Sequence, residues 1–199
     1  MLPSGTAQLI DFIDAESELR DGIKPSCGFR LVDIGFGAGG VLLAASMYTH
    51  HRGWLVSGVE RDQRLVQVFH DWLTRITTLC PGMASIAHEL KSNCILGEVK
   101  SVSCEATVQL CLREANAVFV NNLLFQDLRG RRAMSSLNGV IGEMLCACDV
   151  GTLVVTTAFI GARVENRQLE LKRRVKWNRQ SFSWTDGEVE GYIFEVVAC

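Results

Sequence analysis

Residues 31 to 40 read Leu-Val-Asp-Ile-Gly-Phe-Gly-Ala-Gly-Gly, and they hold the residue types best placed to do chemistry. An apolar run carries Asp33 to its end, Gly35, Gly37 and Gly39 alternate directly after it, and a helical apolar pattern opens at Val41. A strand that feeds a tight glycine turn and then a helix is the nucleotide-binding corner of a doubly wound sheet. Glycines there let backbone approach a ligand that side chains would exclude. A second apolar run, Trp54 to Val59, ends in Glu60, whose carboxylate can accept ribose hydroxyls. Gly35, Phe36, Gly37 and Gly39, with Asp33 and Glu60, are therefore the candidate cofactor residues.

The glycines also satisfy G-x-G-x-x-G through Gly35, Gly37 and Gly40, the dinucleotide pattern. Asp33 separates the two ligands. An acid just before the first glycine suits S-adenosylmethionine, whereas a pyrophosphate gains nothing from added negative charge there. A turn that is only structural rarely needs three glycines.

These residues need a frame, and the chain reads as one throughout. Expected helices cover Thr6–Arg20, Gly39–His50, Arg61–Leu79, Cys104–Arg113 and Leu128–Cys148. The Arg61–Leu79 helix places Leu65, Val68, Phe69, Trp72, Leu73 and Ile76 on one apolar face. Expected strands are Phe29–Ile34, Trp54–Glu60, Ser92–Leu96, Ala117–Val120 and Thr152–Thr157. A terminal hairpin of Leu169–Trp184 and Tyr192–Val197 follows, turning at Asp186-Gly187. Five βα units and a final antiparallel strand describe the α/β class I S-adenosylmethionine-dependent methyltransferase fold, a Rossmann-like seven-stranded sheet. A dehydrogenase would continue its right-handed alternation. One domain is expected, with a helical lead-in over 1–28, the cofactor-binding core over 29–160 and the hairpin with the substrate side over 161–199.

In 199 residues that are 48% hydrophobic there is core enough for one such domain and no room for a second. The net charge of −2 does not favour nucleic acid overall, so phosphate contacts would come from a local patch: Lys172, Arg173, Arg174, Lys176 and Arg179. Those residues serve equally as a solvated face. Eight cysteines without a secretory signal or a C-x-x-C pair read as reduced thiols. Cys94, Cys104, Cys111 and Cys146 sit among apolar residues as small hydrophobes. No metal set and no membrane span is expected.

Ligands in such sheets lie beyond the carboxyl ends of the strands, which makes Asp33 to Gly39, Glu60, Glu98, Asn121 and Thr157 to Phe159 candidates by position. Methyl transfer is an in-line displacement in which the protein holds a neutral nucleophile near the methyl group and excludes water. Asn121 and Asn122 offer amide donors and carbonyl acceptors at the tip of the fourth strand. Phe125, Phe159, Trp184 and Tyr192 could line a narrow apolar channel for a long aliphatic side chain, or simply pack in the core. There is no Asp/Asn-Pro-Pro-aromatic motif, which argues against an exocyclic base amine as the acceptor.

Taken in order, residues 31–39, Gly58-Val59-Glu60, Val118-Phe119-Val120-Asn121-Asn122 with Phe125, and Ser183-Trp184-Thr185 resemble the disruptor-of-telomeric-silencing family, the non-SET histone H3 lysine methyltransferases. The resemblance spans roughly residues 7 to 197. It implies S-adenosylmethionine as methyl donor, a nucleosome-core lysine of histone H3 as acceptor, and the nucleus as location. It places the cofactor on Asp33, Gly35, Gly37 and Glu60, sets Glu98 and Val99 against the adenine, and puts Asn121 by the transferred methyl group. Phe125 and Tyr192 then join Asn121 as the catalytic set. The family's cofactor-covering loop precedes the region matching Ala7, so the chain reads as a compact protozoan-type member or a catalytic fragment. Gly191-Tyr192 stands where the family has two tyrosines, and its basic tail has no match here. A class I methyltransferase for another protein, RNA or small molecule, and a non-catalytic cofactor-binding subunit, are the competing readings.

Overall fold

The computed structural model describes residues 1, 3–22, 24–97, 106–121, 131–178, 181 and 188–199. One sheet organises them. Strands β1 (Arg30–Ile34), β2 (Leu55–Glu60), β3 (Cys94–Leu96), β4 (Ala117–Val120) and β5 (Leu153–Thr156) run parallel. β8 (Val189–Ala198) enters antiparallel between β5 and β7 (Arg167–Trp177), and a two-residue strand β6 (Arg163–Val164) closes the edge. The strand order is β3-β2-β1-β4-β5-β8-β7-β6. The antiparallel pairing of β7 with β8 and the inserted last strand are as expected, but β7 ends at Trp177 rather than Trp184, and the turn expected at Asp186-Gly187 lies outside the described residues. Among the described residues β6 adds an eighth strand to the seven.

Every residue of β4 and β5 is buried, as continuous apolar strands covered on both faces must be. On one face lie α1 (Pro3–Asp21), α2 (Gly40–Thr49), α3 (Gln63–Leu79) and α4 (Ala84–Asn93), whose Leu9, Ile13, Leu42, Phe69, Leu73 and Leu90 share a core with Leu31, Phe119 and Val155. On the other, Val108 and Leu112 of α5 (Ala106–Arg113) and Ile141 and Leu145 of α6 (Arg131–Leu145) pack on Val32, Val118 and Val154. Alternate residues of each strand thus enter opposite cores.

Three local features depart from the sequence pattern. The buried spine of α3 is Val66, Phe69 and Leu73, while Leu65, Val68 and Trp72 are exposed, Trp72 by 57%. The apolar arc of this helix is wider than the surface that covers it. Helix α4 was not expected, because Pro81-Gly82 reads as a stop. Pro81 instead opens a short 3-10 turn that restarts the helix, and Ile86, Ala87 and Leu90 then reach the core. In β7 the register shifts between Leu171 and Arg173. Before the shift Leu169 faces the α5–α6 core; after it Val175 and Trp177 face the α1–α4 core. One extra residue at Lys172 changes the face of everything beyond it.

The start of α1 anchors the end of β7. Gln8 donates through Nε2 to the Lys176 carbonyl (2.8 Å), while its Oε1 accepts from the Asn178 N–H (2.9 Å) and the Ser181 hydroxyl (3.1 Å).

Candidate functional site

The strand order reverses between β1 and β4, the switch point at which doubly wound sheets bind ligands. Beyond β1, Gly35, Gly37 and Gly39 all take left-handed backbone angles (φ 72°, 57° and 78°), which L side chains rarely adopt. Their roles differ. The Gly35 N–H donates to the Val59 carbonyl (2.8 Å), tying the turn to β2. A Cβ on Gly39 would overlap the Phe69 ring, so this glycine lets α3 pack against the start of α2. At Gly37 a Cβ would meet nothing within 4 Å among the described residues, which leaves the crest of the turn open to a ligand. Phe36 lies 5% exposed in the core, its ring 5.5 Å from that of Phe69, so only its backbone faces the turn.

Glu60, at the end of β2, is buried, and both its oxygens accept from backbone. Its Oε2 accepts from Gly37 N (2.9 Å), and its Oε1 accepts from Arg61 N (2.9 Å) and Asp62 N (3.0 Å). A carboxylate has about four acceptor positions, so roughly one remains for a ligand hydroxyl. The sequence suggests an acid that holds ribose; what the structure shows is an acid that locks the glycine turn to the start of α3. Asp62 caps that helix by accepting from Arg64 N (2.9 Å).

Asp33 is 2% exposed under the turn. Burial pushes its carboxyl up to about 7, the Met1 amino group pulls it down, and Glu60 pushes it further up. A buried acid poised between its two forms favours a cationic ligand nearby. Burial also raises the Cys94 and Cys148 thiols to about 12, and the described cysteines are free thiols.

Asn121, just past β4, meets Thr157, just past β5: the Thr157 hydroxyl donates to Asn121 Oδ1 at 3.0 Å. Thr157 was only a positional candidate, and no motif marks it. Phe159 and Tyr192 meet edge to face at 5.6 Å, and both contact Phe194. Tyr192 stands opposite Thr156 in β8 and packs on the α5–α6 core, while Leu31 and Phe119, which share the strand parity of Asp33, face the α1–α4 core. The aromatic pair thus lies across the sheet from Asp33. Glu98, Val99, Asn122, Phe125, Trp184 and Arg179 lie outside the described residues. A Cβ at Gly191 would overlap the indole nitrogen of Trp177, so this glycine makes room for that ring.

The basic cluster is largely paired. Lys172 bridges Glu195 (3.1 Å) and Glu170 (3.5 Å), Arg173 pairs with Glu16, and Lys176 pairs with Glu188 (3.3 Å). The Arg174 guanidinium lies 5.9 Å from the Tyr192 ring centroid. A cavity of about 310 Å³ beside Ser17, Arg20 and Asn116 opens at the opposite, amino-terminal edge of the strands, away from the glycine turn.

Fold and switch-point geometry together define the class I S-adenosylmethionine-dependent methyltransferase fold, and solved structures agree. TrmN from Thermus thermophilus superposes with a TM-score of 0.56 at 12% identity over 96% of this chain; the chain spans only 47% of TrmN. A SAM-dependent methyltransferase from Thiobacillus denitrificans, in complex with S-adenosyl-L-homocysteine, gives 0.53 at 11% identity, with 100% of this chain and 92% of that one covered. The rRNA methyltransferase aviRa from Streptomyces viridochromogenes gives 0.53 at 11% identity, covering 94% and 83%. No protein-family model matches the chain. No curated protein sequence matches it significantly. Nothing in these comparisons points to the disruptor-of-telomeric-silencing family in particular.

Proposed function

We propose that this chain binds S-adenosylmethionine and transfers its methyl group. The observation that carries the reading is the bond from Gly37 N to Glu60 Oε2, which joins an open glycine turn and a buried acid at the β1–β4 switch point. The residues present fit the cofactor: backbone at Gly35 and Gly37 beside the methionine portion, Asp33 below its ammonium, and the remaining acceptor position of Glu60 for a ribose hydroxyl. Glu98 and Val99 take the adenine side in this reading. The cofactor supplies an electrophilic methyl on a sulfonium; the protein's share is to position the acceptor and exclude water.

For the acceptor we favour a lysine of histone H3 in the nucleosome, acted on in the nucleus. The Val118–Asn122 and Ser183–Thr185 motifs support it. A lysine amine must arrive neutral, which a water-poor channel promotes by disfavouring the ammonium. Lys172, Arg173, Arg174, Lys176 and Arg179 are the candidate contacts to DNA phosphate.

Calorimetric titration with S-adenosylhomocysteine tests the cofactor, and absence of binding overturns the whole reading. Transfer of labelled methyl to intact nucleosomes, free histones and total RNA, assayed side by side, tests the acceptor. Label confined to histone H3 of nucleosomes is expected; label in RNA sinks the lysine reading and leaves the methyltransferase standing.

A further inference from the structure

We propose that Thr157 is a positioning residue which holds the Asn121 amide by its carbonyl, so that the tip of β4 presents N–H donors to the methionine carboxylate of the cofactor. This deepens the S-adenosylmethionine reading and rests on it. Three observations place the pair. β4 and β5 lie in register through Val120 and Thr156, and the Thr157 N–H continues the ladder by donating to the Val120 carbonyl at 3.3 Å. The Thr157 hydroxyl then donates to Asn121 Oδ1 at 3.0 Å. Thr157 is 2% exposed and Asn121 half-buried, so the bond is partly shielded from water. The neighbouring Thr156 hydroxyl turns away, donating to the Ala158 carbonyl at 2.7 Å and fixing the bend that follows β5.

The chemistry follows from the amide's two ends. An amide oxygen accepts and an amide nitrogen donates, and here the oxygen faces Thr157. The nitrogen is the end left to serve a ligand. An N–H aimed at a neutral amine would occupy the lone pair that must attack the methyl group, which would slow the transfer. An N–H aimed at a carboxylate makes a charge-assisted bond and orients the cofactor. Asn121 lies one residue past Val120, which pairs with Ile34 of β1 just before the glycine turn, so it is adjacent to the turn that would hold the methionine portion.

Two ligands separate this role from a general effect. S-adenosylhomocysteine carries the methionine carboxylate, and 5′-methylthioadenosine lacks the amino-acid end. Titrations of both into wild type, Thr157→Val, Thr157→Ser and Asn121→Ala are expected to show about tenfold weaker S-adenosylhomocysteine binding in the Val and Ala variants. Methylthioadenosine binding stays unchanged, Thr157→Ser binds as wild type, and the Thr157→Val/Asn121→Ala double variant is no weaker than either single. Should Thr157→Val not fold, Asn121→Asp serves: it retains the acceptor for Thr157 but removes the donors, and it loses the same selectivity. Wild-type affinity in Thr157→Val, equal weakening of both ligands, or additive effects overturn the proposal while wild-type binding keeps the cofactor reading. Wild-type protein that binds neither ligand overturns both.

Discussion

Replacing Glu60 by alanine removes one carboxylate that accepts three backbone N–H bonds, at 2.9, 2.9 and 3.0 Å, and links the glycine turn, the end of β2 and the start of α3. Bonds to a charged acceptor contribute roughly 1.5–3 kcal/mol each, yet the three donors sit in turns that water reaches once the side chain is gone. The net loss is therefore on the order of 2 kcal/mol rather than the sum of three bonds. For a chain of this size about 1 kcal/mol moves Tm by roughly 2–4 °C, so Glu60→Ala should melt about 4–8 °C lower. On the proposed reading a ribose hydroxyl loses its acceptor as well, and S-adenosylhomocysteine should bind at least about tenfold more weakly. Glu60→Gln keeps one oxygen as an acceptor and should fall between wild type and alanine in both measurements. Differential scanning fluorimetry and calorimetry on the three proteins decide it. Lower Tm with unchanged affinity would make Glu60 a structural clamp alone; unchanged Tm would refute the clamp.

Asp33→Asn should change how stability varies with pH. The folded protein keeps a proton on Asp33 that the unfolded chain releases, so this group's contribution is present at low pH and lost as pH rises from about 4 to about 7. Urea unfolding across that window should give a flatter pH dependence for the variant, and binding of cationic S-adenosylmethionine should gain from rising pH in wild type only; matching slopes would discard the assignment. Gly39→Ala combines overlap with Phe69 and a left-handed backbone, and should lower Tm by several degrees. A change within 1 °C, roughly the effect of a neutral surface substitution, would contradict that packing. If nucleosomes are bound, replacing Arg173, Arg174 and Lys176 together should change the log–log salt slope by about 0.9, one phosphate contact, because Glu16 and Glu188 already hold two of the three cations. A change near 2.7, about three contacts, would show that those ion pairs open on binding.

The residue pattern alone determined the strand–turn–helix at 30–49, the acid ending β2 and the antiparallel last strand, because these depend on short-range periodicity and on glycine's freedom at positive φ. It also located Asp33, Glu60 and Asn121 at strand ends. Only the tertiary structure decided what those side chains do. Glu60 meets Gly37 across 23 residues and Thr157 meets Asn121 across 36, contacts made by strand pairing and marked by no local motif. The same holds for the face of a helix or strand. Leu65 and Trp72 belong to an apolar arc but find no cover, and the extra residue at Lys172 turns Trp177 inward against Gly191. A sequence sets which faces are apolar; which of them is buried depends on which element arrives to cover it.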